Sequence, residues 1–234
     1  MSTRRLLTAA AALAAALALT ACEAVVATDV TITSPGEVAV SVEVTFTEEA
    51  AAAISTGSDA DVELRNLFEA RGASDVSRDA SSELVRYRAS DLDPAAVAAS
   101  AEVTGIASIS ASEQAEATVV SVEVTEPTAL TDLLASYDPE AAGVLAAKTF
   151  VEVRVHAGGG IDTATYPAST EALVLDGDTA TLRLALDHFE PGTLTVTGRP
   201  GGGFPWLAVP AVVVLAAAIA LFVVRRRNQA AARG

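Results

Sequence analysis

The sequence predicts an α+β domain with a largely antiparallel β-sheet and packed helices, set between an N-terminal signal segment and one C-terminal transmembrane helix. Three observations carry this expectation. Val38, Val40, Val42, Val44 and Phe46 alternate with Glu37, Ala39, Ser41, Glu43 and Thr45, the period-2 pattern of a half-buried strand. The last third of the chain repeats that pattern, with short helical stretches between. Two long apolar runs close the ends.

The elements follow in chain order. Asp29 to Thr33 puts Val30 and Ile32 on one face, and Ser34-Pro35-Gly36 joins it to the Val-rich run as a tight hairpin turn. A helix is expected from Glu48 to Ser55. A second follows from the Ser58-x-x-Asp61 capping signal, carries Val62, Leu64, Leu67 and Phe68, and stops at Gly72. Glu83 to Arg88 and Glu102 to Ser110 read as strands. Asp91-Leu92-Asp93-Pro94 starts a loop or a short Ala-rich helix. Val119, Val120, Val122 and Val124 mark another strand, and Thr128 to Ser136 a helix after Pro127. Phe150 to His156 alternates again. Ala172 to Leu175, the Asp176-Gly177-Asp178 turn and Thr179 to Leu186 form a hairpin, and Thr193 to Thr197 closes the sheet.

The ends place the chain. Arg4 and Arg5 precede a Leu/Ala run from Leu6 to Leu19, the layout of a signal peptide over residues 1–21. Leu19-Thr20-Ala21-Cys22 resembles a bacterial lipobox. That likeness implies cleavage between Ala21 and Cys22 and a diacylglycerol on the Cys22 thiol. No other cysteine exists, so neither a disulfide nor a Cys metal site is available. Residues 22–199 form the exported domain, and residues 200–203 are a Gly-rich linker. Phe204 to Val224 has no charge; its 21 residues span about 31 Å as a helix, the thickness of a hydrocarbon core. Arg225, Arg226 and Arg227 open a basic cytoplasmic tail, residues 225–234.

Charge fixes the topology. The stretch from Glu23 to Arg199 holds all 30 acidic residues and nine of the 15 basic ones. Nine minus thirty gives that stretch a net charge of −21. The other six, Arg4, Arg5, Arg225, Arg226, Arg227 and Arg233, sit in acid-free ends. Both basic ends stay in the cytoplasm, so the acidic middle lies outside. Such a charge disfavours nucleic acid as a partner, whose phosphates need Lys and Arg. The membrane itself is the expected partner.

No catalytic constellation, cofactor motif or metal set stands out. The chain holds no Gly-x-Ser-x-Gly, no His-Glu-x-x-His and no P-loop. His156 and His188 end strands and read as surface residues. Gly158-Gly159-Gly160 reads as a flexible loop before an anion cradle, and Glu48-Glu49 and Asp176/Asp178 as solvated charge before Ca²⁺ ligands. A non-enzymatic module is expected.

The whole layout resembles the actinobacterial LppM lipoprotein family. The resemblance lies in the lipobox Cys22, the Asp29-Val30-Thr31-Ile32 strand, its tight turn and Val-rich partner, and the Gly158 to Gly160 segment. It continues through the Asp-Gly-Asp hairpin, the Leu194-Thr195-Val196-Thr197 strand and the apolar helix with its basic tail. This sequence departs in having Gly158-Gly159-Gly160-Ile161 where the family often has Pro-Gly-Val, and no Trp after the hairpin. The resemblance implies an exported module that binds envelope lipids or glycolipids; the alternative is an envelope scaffold or protein-interaction domain without a small ligand. A lipid groove would lie between the sheet residues Val38, Val40, Val42, Val44, Phe46, Leu182 and Leu184 and a helix bearing Leu64, Leu67 and Phe68. Arg86 and Arg88, two apart on one strand face, would line its entrance. A cavity of several hundred Å³ favours the lipid reading, and a filled core favours the scaffold.

Overall fold

The Val-rich alternation folds as expected. In the computed structural model, which describes residues 23–47, 59–69, 73, 76–81, 84–135 and 139–201, β1 (Ala24–Ser34) and β2 (Glu37–Thr47) form an antiparallel hairpin. Gly36 takes φ 75°, the left-handed value that the third position of a Pro-Gly turn requires and that glycine adopts without steric cost. Its amide donates to Thr118 Oγ1 at 3.0 Å, tying the hairpin tip to a second sheet.

Two sheets, not one, organise the chain, and this corrects the α+β expectation. Strands make up more than half of the described residues and helices under a quarter. The larger sheet adds β3 (Val76–Ala80), β4 (Leu84–Leu92), β7 (Thr149–Ala157), β9 (Leu173–Asp176) and β10 (Thr179–Ala185). Its order is β3-β4-β2-β1-β7-β10-β9. The smaller sheet has β5 (Ile106–Gln114), β6 (Ala117–Val124), β8 (Ile161–Thr165) and β11 (Gly192–Gly198) in the order β5-β6-β11-β8. Pairing is antiparallel except at the centre of the large sheet, where β1 and β7 run parallel from Ala24↔Thr149 to Ile32↔Ala157. The helices are short: α1 (Asp59–Glu69), α2 (Pro94–Ala98), α3 (Ala101–Thr104), α4 (Thr128–Leu134) and α5 (Pro139–Ala147). Asp93 caps α2, its carboxylate accepting from the Ala95 amide at 2.8 Å.

Several local expectations shift. Residues 102–104, read as the start of a strand, belong instead to α3, which ends at Gly105 with φ 71° before β5 begins. The strands β3 and β8 and the helix α5 were not expected. The β5–β6 hairpin turns at Ala115 and Glu116, and Ala115 holds φ 58°. A left-handed alanine costs about 1–2 kcal/mol. Ala115→Gly is therefore expected to stabilise the domain by about 1 kcal/mol, read as a higher urea midpoint.

One face of the large sheet makes the core. Val26, Val30 and Ile32 of β1, Val40, Val42, Val44 and Phe46 of β2, Val85 and Tyr87 of β4, Val151, Val153 and Val155 of β7, and Leu182 and Leu184 of β10 are all buried. Ile106, Val120, Val122, Leu194 and Val196 of the small sheet join the same apolar cluster, as do Phe68, Leu130 and Leu145 from the helices. Compact packing runs to Gly201.

The glycine run is a packing seat and not a loose loop. A Cβ on Gly159 would lie 2.6 Å from the Pro200 carbonyl oxygen, and one on Gly158 2.9 Å from Gly201 Cα. Gly159 also donates to the Arg199 carbonyl at 3.0 Å. Only a residue without a side chain lets the end of the domain lie against this turn.

Among the described residues, no helix is long and apolar enough to cross a membrane. The signal segment with Arg4, Arg5 and Ala21, the lipidation residue Cys22, the helix expected at 48–55, the 204–224 run and Arg225, Arg226 and Arg227 lie outside the described residues.

Candidate functional site

The expected groove is only partly assembled. Val42 and Val44 of β2 and Phe68 of α1 line an apolar cleft with Val26, Leu92, Ala96, Val97, Ser100, Val103 and Thr104. The cleft is partly open, and its enclosed volume is about 30 Å³. That space holds one or two waters and no acyl chain, which needs several hundred Å³. Val40, Phe46, Leu182 and Leu184 lie elsewhere, 4% exposed or less, packed into the core. Val38 is half-buried against that core. Leu64 and Leu67 sit on α1, and their side chains lie outside the described residues. Arg86 and Arg88 share a face as expected, but the opposite one: their register partners Thr45 and Glu43 point away from the cleft.

That opposite face carries the most organised polar chemistry in the domain. Strand β1 is its axis. Ala27 is flanked by Glu43 on β2 and Glu152 on β7, and Asp29 by Ser41 and Arg154. Ala27 itself is buried between Glu43 and Glu152. The Arg154 guanidinium lies above, with Asp29 Oδ1 at 3.2 Å, Glu152 Oε1 at 2.5 Å and Glu43 Oε1 at 3.6 Å. Arg86 Nε approaches Glu43 at 3.3 Å from the other side, out of line for a hydrogen bond. Arg183 pairs with Glu23 and Glu152 and stacks 4.0 Å over the Phe150 ring. Arg88 donates to Ser41 Oγ at 3.3 Å.

Electrostatics hold Asp29 and Arg154 ionised. Burial raises the Asp29 carboxyl, but the His156 hydrogen bond and the charges of Arg154, His156 and Arg88 outweigh it, leaving the group below its ordinary value. Burial lowers the Arg154 guanidinium, and the Glu152 hydrogen bond with the Asp29, Glu152 and Glu43 charges reverses that and raises it.

His156 sits at the edge of the cluster, 3.3 Å from Asp29 Oδ1 and 3.0 Å from Thr179 Oγ1. Acid, imidazole and hydroxyl stand in the order of a nucleophilic relay. The hydrogen bonds run the wrong way for one. Thr179 donates its own proton to Asp178 Oδ1 at 3.0 Å, away from the ring. His188 is exposed in the turn Leu186–His188, 3.6 Å from Asp187.

No protein-family model matches the chain, and no curated protein is similar to it. Among solved structures the chain is similar to the folded domain of LppM from Mycobacterium tuberculosis, determined by NMR. The TM-score is 0.41 at 15% identity, over 76% of this chain and 90% of that one. That identity and score do not place the chain in the LppM family.

A second buried polar group lies on the core side. The Tyr87 hydroxyl donates to Asp61 Oδ1 at 2.6 Å, and Arg78 reaches the same oxygen at 3.3 Å. Burial and the Asp61 hydrogen bond push the phenol up to about 12. This cluster pins α1 to β3 and β4. The sequence signalled neither polar cluster, because each joins residues from distant strands whose neighbours alternation does not name. The outward positions Glu43, Arg86, Glu152, Arg154 and Arg183 were visible as polar faces; only register makes them partners.

Proposed function

We propose that the chain is a non-catalytic binding module of the cell envelope, held outside the membrane by a lipid on Cys22 and a second membrane contact through residues 204–224. One observation carries this reading: the lipobox cysteine stands two residues before β1, the central strand of the large sheet. Cleavage before Cys22 would leave a new N-terminus two residues ahead of that strand. The charge segregation along the sequence supports the same orientation. Cys22→Ser is expected to leave an uncleaved precursor of larger mass, with no diacylglycerol adduct by mass spectrometry. Processing at Ala21 as in the wild type would sink the lipobox reading.

For the ligand, envelope lipid met at the protein surface fits better than a swallowed acyl chain, because the cleft at Val42, Val44 and Phe68 encloses so little space. A second reading rests on that cleft's almost wholly apolar lining, which would accept the end of an acyl chain if α1 moved outward. A fluorescent fatty acid titrated into the detergent-solubilised chain separates them. Saturable binding weakened by Val42→Trp supports the cleft. Its absence leaves surface contact with lipid or with another envelope protein.

A further inference from the structure

The domain's two exits lie at opposite ends of one strand. Glu23 leads into β1 beside Lys148, whose carbonyl accepts from the Ala24 amide. At the other end, Gly198 packs against Ala157 and Ile32, and Gly201 against Gly158. Eight residue steps from Ala24 to Ile32 cover about 26 Å. Gly201 is three peptide steps from Phe204, a reach of about 10 Å. A later start to the membrane segment does not help. Ala211–Val224, beyond Pro210, offers 14 residues, and these span about 21 Å of a core about 30 Å thick. With a lipid on Cys22 and residues 204–224 in the same bilayer, β1 cannot stand upright. It must lie along the surface.

We propose that the outer face of the large sheet docks on an anionic phospholipid bilayer, with Arg86, Arg88, Arg154 and Arg183 meeting lipid phosphates. This rests on the double anchoring proposed above. Charge layering selects the face. The domain carries −21, yet four of its nine basic residues stand here. Their carboxylate partners form the floor: the side chains of Asp29, Glu43 and Glu152 are 6%, 8% and 11% exposed. The cations stand above them, with Arg86 42%, Arg183 41%, His156 37% and Arg154 27% exposed. A lipid phosphate approaching this face meets guanidinium first, and guanidinium binds phosphate through paired N–H donors. The exposed acids of the face, Asp79 on β3, Asp176 on β9, Glu37 at the hairpin end of β2 and Glu23, lie at its rims.

The full chain in vesicles tests this. Thr181→Cys places a fluorophore on the outer face and Val144→Cys places one on α5, which packs on the core side. In phosphatidylglycerol/phosphatidylcholine vesicles with headgroup-quencher lipids, the Thr181 label is expected to be quenched several-fold more than the Val144 label. Arg88→Glu, at an exposed position whose described hydrogen bond is to Ser41, should at least halve that difference, as should phosphatidylcholine alone. Equal quenching, or stronger quenching at Val144, overturns the docking. A preference that persists in phosphatidylcholine alone overturns recognition by the arginines. Mass spectrometry of the same sample keeps the two ideas apart: an unmodified Cys22 thiol defeats the anchoring, whereas lipidated protein without face preference defeats the docking alone.

Discussion

Phe46→Ala is expected to destabilise the domain by about 4 kcal/mol. Phe46 is fully buried at the end of β2, beside Ala24 on β1 and Val85 on β4. Truncation removes a ring's worth of transfer energy and leaves a cavity that three paired strands cannot collapse around. The measurement is a urea titration of the detergent-solubilised chain, followed by far-UV circular dichroism. Phe46 also separates two pictures of the Val-rich face. A groove-lining ring would be dispensable for stability and needed for ligand. A loss below about 1 kcal/mol would mean that the ring faces open space and that the packing described above is wrong.

Arg154→Met is expected to cost about 3 kcal/mol at neutral pH. Removing one partner of a buried pair costs about 3–5 kcal/mol. The lower end applies because the guanidinium keeps 27% of its side-chain surface in solvent. The substitution leaves Asp29, Glu43 and Glu152 close together without their shared cation. The pH dependence has a definite sign. In the wild type the Asp29 carboxyl is held below 3.8. Its contribution is therefore complete above the unfolded value and is lost as pH falls through the lower folded one. In the variant, crowded carboxylates bind protons more readily folded than unfolded. The deficit should be largest near pH 7 and shrink toward about pH 4, where protonation relieves the repulsion. A deficit that does not change with pH would mean that Arg154 acts through packing alone.

What the sequence alone determined is local. Period-2 alternation marked β2, β7 and β10 and the face each strand turns inward, because the pleat puts every second side chain on one side. Ser34-Pro35-Gly36 and Asp176-Gly177-Asp178 fixed two hairpins, because a tight turn needs residues that tolerate its dihedral angles. The β5–β6 hairpin escaped for the same reason: Ala115 does at φ 58° what glycine does elsewhere. Charge segregation set the topology expected for the ends. Tertiary structure alone decided which strands are neighbours. The parallel β1–β7 pair joins residues about 125 positions apart, as Asp29 to Arg154 shows. Strand pairing also sorts the strands into two sheets, against the expected α+β layout. Alternation says which way a side chain points but not what stands beside it. Val40 and Val42 are equivalent in sequence, and only the packing puts one in the core and the other on the cleft. The charged face has the same origin. Glu43, Arg154 and Arg183 are ordinary outward residues until register sets them side by side, where they become buried carboxylates under exposed guanidinium groups.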